Sequence, residues 1–351
     1  MNINNKFTFI TIPLQSIQSK YDQLLSPSAA LIQDMSKMKG DIIILGIGGK
    51  MGPALAKLAK QAIDLSGVNK RVIGVARFSE PGLEVELNNN GIETIKADLL
   101  IDEDLSALPD VKNVLYLAGT KFGTKGNEPY TWAMNTYLPG RVAQKFKSSN
   151  IVVFSTGNVY PFTTIQSGGA TEKTSPAPIG EYGQSCLGRE RLFQYYSSLY
   201  NTPLLLYRLN YAVDVSYGVL LEIAKSVFEQ KALDITMGHV NLIWQNDANE
   251  IALRSLLHTS VPSTTLNVTG PVIYSVRKLA EEFGKRFNLY PVFLNTESDT
   301  ALLSNASACA NLFGTPNTSI EQMIDIIADW ILQGGKTMNK PTHFNEREGN
   351  F

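Results

Sequence analysis

The chain has 351 residues, with 31 Lys+Arg against 32 Asp+Glu, a formal net charge of -1, and 44% hydrophobic and 18% charged residues. That length makes one large domain or two, with enough chain to bury a substantial core, and the balanced charge argues against a surface built for polyanions, so nucleic acid is not an expected partner. No apolar run approaches the roughly 18 residues of a membrane span, and the opening M-N-I-N-N-K-F-T-F lacks an apolar signal core, so no membrane partner is expected and the expected location is cytoplasmic.

Residues 1–39 read as a helical extension. Leu14, Ile17, Tyr21 and Leu24, then Leu31, Met35 and Met38, recur at three- and four-residue steps, and Ser26-Pro27 supplies a helix start between them. From residue 40 short apolar runs alternate with helical stretches. Strands are expected at Asp41–Leu45, Arg71–Ala76, Ile92–Lys96, Val114–Leu117, Ile151–Phe154 and Leu204–Leu209, with helices at Pro53–Ile63, Tyr130–Lys147 and Tyr182–Tyr200. That alternation predicts an α/β fold, a doubly wound parallel sheet of the Rossmann type over residues 40–210, completed by later strands from about 238–272.

Residues 211–335 are expected to form mainly a smaller, interleaved substrate domain. It would hold helices at Val219–Gln230, Ala248–His258, Val276–Phe287 and Ile320–Leu332, and strands at His239–Trp244 and Thr265–Val268. Residues 336–351 form a polar tail, expected to strap the surface. Only two cysteines, Cys186 and Cys309, and three histidines, His239, His258 and His343, are present, none at metal-ligand spacing, so neither a disulfide nor a metal site is expected.

The first chemical signal is G-I-G-G-K-M-G, Gly46 to Gly52, directly after the run I-I-I-L and directly before a helix. Glycines there let the backbone turn tightly and approach a pyrophosphate at the helix N-terminus, which makes Gly46, Gly48, Gly49, Lys50, Met51 and Gly52 candidate cofactor contacts. An acid at the end of the second strand would grip the ribose of NAD, but Gly74 to Ser79 reads G-V-A-R-F-S. Arg77 suits a 2′-phosphate, with Lys50 as a second cation, so NADP is favoured over NAD.

Two distant pieces then converge: F-S-T-G-N-V-Y-P, Phe154 to Pro161, at a strand end, and E-Y-G-Q-S-C, Glu181 to Cys186, opening a helix. With Ala97-Asp98-Leu99, Leu117-Ala118-Gly119, Asn135 and Arg208-Leu209-Asn210, the chain from about 41 to 330 resembles the extended short-chain dehydrogenase/reductase family, the NAD(P)-dependent epimerase/dehydratase group. The resemblance implies Thr156 as the Ser/Thr that holds the reacting oxygen and Tyr182 as acid/base, 26 residues apart. It adds Asp98, Leu99, Leu117, Ala118, Gly119 and Tyr182 to the dinucleotide contacts and points to Asn135, Asn158 and Asn210 for substrate or support. It also implies a homodimer through the helices at Tyr130–Lys147 and Tyr182–Tyr200.

The family's Y-x-x-x-K lysine is Cys186 here. A phenol with a reference pKa near ~10 needs a neighbouring cation to act as a base, and a thiol cannot supply that field. Lys121, just past the fourth strand, is the first substitute and Arg189, three residues beyond Cys186, the second, although a helical arginine is more often a surface charge. Cys186 is not expected to be a nucleophile, since no histidine accompanies it.

Two further departures bear on the reaction. Gly157-Asn158 stands where family dehydratases carry Asp-Glu, and Val240 to Asp247, V-N-L-I-W-Q-N-D, lacks the arginine that grips a sugar-nucleotide diphosphate. The expectation is an NADP (or NAD) dependent oxidoreductase or epimerase acting on a sugar, sugar acid or related small hydroxy/keto compound, with Trp244 and His239 lining the pocket. The alternative is a dinucleotide-binding sensor or partner protein with little or no turnover.

Overall fold

The computed structural model describes residues 14–350 except Phe122 and Thr124; the reading of the opening nine residues lies outside that range. Seven strands form one parallel sheet: β1 (Ile42–Leu45), β2 (Val72–Ala76), β3 (Glu93–Lys96), β4 (Asn113–Tyr116), β5 (Asn150–Thr156), β6 (Leu204–Leu209) and β7 (Thr264–Val268). Their order across the sheet is β3-β2-β1-β4-β5-β6-β7. The order reverses between β1 and β4, which leaves a crevice at their carboxyl ends.

The strands are apolar on both faces because helices cover both. Ile42 and Ile44 pack on one side with Leu31, Met35, Leu55 and Ala59, while Ile43 and Leu45 pack on the other with Leu138, Val142 and Phe193. Alternation along a strand thus assigns successive residues to two separate cores. A third core, built around Val219, Trp244, Phe283 and Ile327, belongs to the second lobe.

The N-terminal helices α1 (Leu14–Leu24) and α2 (Ala29–Lys37) tie the lobes together. α2 sets Leu31 and Met35 under the sheet, and Ser28 caps it while donating its hydroxyl to Glu250 at 2.6 Å. From α1, Tyr21 packs edge-on against Trp244 and donates to Asp214 at 2.8 Å.

Three local departures from the periodicity have physical causes. The helix expected over Tyr130–Lys147 is interrupted by a π turn at Ala133–Tyr137, whose extra residue carries the buried Asn135. The strand expected over His239–Trp244 splits, because His239–Asn241 pairs antiparallel with Ile273–Ser275 and Ile243–Trp244 pairs in parallel with Ala212–Val213. Between them the Leu242 carbonyl lies under Gly270, where any side chain would collide at 2.0 Å. Short helices at Leu83–Asn89, Asp102–Ala107 and Ser307–Phe313 carry too few apolar repeats to register as helices in the sequence.

Beyond Leu332 the chain turns back across the mouth of the crevice. Met338 donates its amide to the Ser216 carbonyl, Thr342 donates amide and hydroxyl to Glu222, and Phe344 enters the second core at 3% exposure. Among the described residues no helix is long and apolar enough to cross a membrane, and no group of His, Cys, Asp and Glu is placed to hold a metal ion.

Candidate active site at the sheet's carboxyl edge

The glycine turn is fixed from below. The amides of Gly46 and Ile47 both donate to the Val75 carbonyl of β2, and Gly46 has φ +88°, with the space a side chain would need already filled by the Ala118 backbone at 2.6 Å. Gly52 sits so close to the Ile47 carbonyl that a Cβ would approach to 2.2 Å. The turn therefore requires glycine at both ends, and α3 (Gly52–Ser66) starts directly over the crevice with Met51 as its first cap and Pro53 in its first turn.

Of the cavities that border this turn, two hold most of the residues expected to contact cofactor and substrate. One, of about 380 Å³, is lined by Gly46, Gly48, Gly49, Arg77, Asp98, Leu99, Leu117, Ala118 and Gly119. Arg77 is exposed there, its guanidinium 3.8 Å from the Asp98 carboxylate and 3.5 Å from the Tyr130 hydroxyl. The other, of about 290 Å³, is lined by Lys50, Met51, Gly52, Lys121, Thr156, Asn158, Tyr182 and Asn210. Gly46, Gly49 and Leu117 belong to both, so the two cavities form one continuous crevice. Its length, glycine floor and mixed polar lining fit a dinucleotide laid across the topological switch point.

Thr156 ends β5 and Tyr182 opens the helix Gly180–Tyr200. Their hydroxyls are hydrogen-bonded, and the Tyr182 hydroxyl also meets the Cys186 thiol one turn along the helix. Thr156 in turn donates to the Asn158 amide oxygen at 3.0 Å and accepts from the Asn158 backbone at 3.1 Å. Burial pushes the Tyr182 phenol well above its ordinary range, with Cys186 adding to the rise, while Arg189 and the Thr156 hydrogen bond oppose it. Cys186 is fully buried and its thiol is likewise pushed up by burial.

Arg189 is not the surface charge that its helical position suggests. It is 6% exposed and donates to the Phe154 carbonyl and the Asn135 side-chain oxygen, both at 2.8 Å, with its guanidinium against Gly119, where a Cβ would come within 2.3 Å of it. Lys121 lies 5.7 Å from the centre of the Tyr182 ring, and burial holds its ammonium down at about 8.

Several expected contacts are placed elsewhere. Lys50 does not join Arg77. Its side chain crosses the crevice to the Ala212 carbonyl at 3.3 Å and the face of Tyr217 at 3.8 Å, because the residue after Gly49 already points toward the second lobe. Asn135 and Trp244 line neither cavity. Asn135 spends its amide on the backbone of Thr120, on Ser185 and on Arg189, which makes it a brace for the crevice wall. Trp244 is fully buried in the second core, in keeping with an apolar strand position. His239 lines neither cavity either. Tyr211, Tyr217 and Thr342 line the inner cavity and Lys340 the outer one, all unanticipated, since none sits in a periodic pattern or a recognised motif.

The parallel sheet with its switch-point crevice and glycine turn defines a Rossmann-type fold, with a Thr–Tyr pair set at the carboxyl edge. Residues 42–213 match the NAD dependent epimerase/dehydratase family. No curated protein matches the chain.

Among solved structures, UDP-glucuronic acid 4-epimerase from Bacillus cereus, in complex with UDP-glucuronic acid and NAD, aligns over 84% of this chain and 99% of its own at 20% identity and TM-score 0.69. UDP-glucose 4-epimerase from Thermotoga maritima with UDP-glucose covers the same shares at 14% identity and TM-score 0.66. A short-chain dehydrogenase/reductase superfamily protein from Agrobacterium tumefaciens with bound NAD aligns over 84% of this chain and 97% of its own, at 17% identity and TM-score 0.68. These likenesses establish the fold.

Proposed function

We propose that the protein is an NAD(P)-dependent epimerase or reductase acting on a sugar, sugar acid or related hydroxy/keto compound. The observation that carries this reading is the hydrogen-bonded Thr156–Tyr182 pair in the cavity that adjoins the glycine turn. The nicotinamide, when bound, accepts or returns hydride. Thr156 holds the reacting oxygen of the substrate, Tyr182 takes up or gives back its proton, and Asn158 and Asn210 orient the neighbouring hydroxyls.

Arg189 and Lys121 supply the positive field that a lysine at position 186 would otherwise give, since both act on the buried Tyr182–Cys186 couple. At the outer cavity, Arg77 favours the 2′-phosphate of NADP, with Gly46, Gly48, Gly49, Met51 and Gly52 holding the pyrophosphate. The exposed Trp132, Tyr137, Tyr195 and Leu199 of the two adjacent helices suit contact with a second copy, which sedimentation at micromolar concentration tests.

The first experiment is gentle denaturation of the purified protein with identification of any released dinucleotide, followed by titration with NAD and NADP. Retained dinucleotide supports an epimerase cycle, exchangeable micromolar binding supports a reductase, and no binding of either refutes the reading. A non-turning dinucleotide sensor is the second reading, favoured by Cys186 in place of lysine; retention of dinucleotide without turnover of any sugar or sugar acid would support it.

A further inference from the structure

Lys50 and Lys121 enter the same inner cavity from opposite chain segments, one from the glycine turn and the other from the end of β4, and both face Thr156 and Tyr182. The contacts of Lys50 are uncharged, namely the Ala212 carbonyl and the Tyr217 ring. The carboxylate in its neighbourhood, Asp214, is already engaged by the Tyr21 hydroxyl on one oxygen and by the amide and hydroxyl of Ser216 on the other. Two buried ammonium groups lining one cavity repel each other, and an anion placed between them relieves that cost. The cost shows in Lys50, which burial and the neighbouring charge of Lys121 hold down at about 7 despite the pull of Asp214.

The geometry points to an anionic substrate: we propose that Lys50 and Lys121 capture a carboxylate or phosphate on the reacting sugar, beside the carbon handled by Thr156 and Tyr182. This rests on the functional reading above and narrows it to acidic sugars. The cofactor's own phosphates are a poorer match for Lys50, because its side chain leaves the glycine turn for the wall formed by Ala212 and Tyr217, on the side of the reacting pair. Charge-assisted contacts of this kind discriminate strongly against a neutral sugar of the same shape, which offers the two ammonium groups no counter-charge.

The test is calorimetric titration of the whole protein, with and without saturating NAD, using D-glucuronate, D-glucose 6-phosphate, D-glucose and inorganic phosphate. The expected result is that at least one sugar anion binds about 10-fold or more tighter than D-glucose, and that Lys50→Met and Lys121→Met each remove the difference while changing NAD affinity by less than about 2-fold. The glucuronate and 6-phosphate arms tell a carboxylate from a phosphate. Equal binding of D-glucose and the anions, absence of anion binding, or variants that lose NAD affinity while keeping the anion preference would each overturn the inference. Anion preference in a protein that binds no dinucleotide would sustain it and sink the redox reading instead.

Discussion

Inside the protein the guanidinium of Arg208 grips both carboxylate oxygens of Glu190, at 2.8 Å from Nε and 2.6 Å from Nη2, with side-chain exposures of 5% and 0%. The pair joins β6 to the helix that carries Tyr182. Ser155, the neighbour of Thr156, donates to the same carboxylate at 2.6 Å, and Arg208 also donates to the Tyr160 hydroxyl, itself bonded to Asn267. Glu190→Gln leaves a buried guanidinium without its counter-charge and is expected to destabilise the fold by about 3–5 kcal/mol. Urea unfolding followed by circular dichroism measures this, and a loss below about 1 kcal/mol would contradict the account.

Tyr182→Phe removes the proposed proton carrier but keeps the ring between Thr156 and Cys186. Turnover should fall by about 10²-fold or more while NAD and NADP affinities stay within about 2-fold of wild type. Unchanged turnover would move the acid/base role to another group.

In the proposed mechanism Arg189 acts on Tyr182 through charge rather than contact with substrate. Removing a cation disfavours the ionised phenol, so Arg189→Met should shift the rise of turnover with pH to higher pH, whereas Arg189→Lys should restore most of the wild-type profile. Equal pH profiles for both variants would show that the guanidinium only fills space beside Gly119.

Arg77 stands in the outer cavity opposite Asp98. Arg77→Ala is expected to weaken NADP binding by about 10-fold or more and NAD binding far less. Equal losses in fluorescence titrations would show that the residue does not read the phosphate.

Lys50 also makes stability depend on pH. An unfolded lysine titrates near ~10.4, but in the ligand-free fold burial holds Lys50 at about 7. Between those values the unfolded chain binds the extra proton, so stability should rise as pH increases from about 7 toward about 10, and the penalty is fully present below pH 7. Urea midpoints at pH 7 and pH 9 should differ less in Lys50→Met than in wild type.

The sheet was legible in the sequence because buried parallel strands read as short unbroken apolar runs; the strand Leu204–Leu209 is found at its expected bounds, as is the amphipathic helix Val276–Phe287. The glycine turn and the Thr156–Tyr182 pair were legible because each sits at a strand end where a motif has a steric reason. The burial of Arg189 was not legible, because helical spacing tells which residues share a face but not that the Phe154 carbonyl and Asn135 receive its guanidinium there. The place of the Lys50 side chain is hidden for a related reason: its contacts on Ala212 and Tyr217 lie more than 160 residues away in sequence, and no local pattern encodes them. The π turn that turns Asn135 inward likewise leaves no trace in apolar periodicity.

The wall facing the glycine turn, from Ala212 to Glu222, is fastened from both directions along the chain, by Tyr21 on Asp214 and by Thr342 on Glu222. A chain emerging from the ribosome therefore has its first six sheet strands well before it has a closed crevice, because the second fastening comes from Thr342, far beyond the end of β6 at Leu209. Until Phe344 docks into its core, the nascent protein presents an open half-cleft, and a proteolytic cut between Leu332 and Thr342 would return a folded molecule to that earlier state.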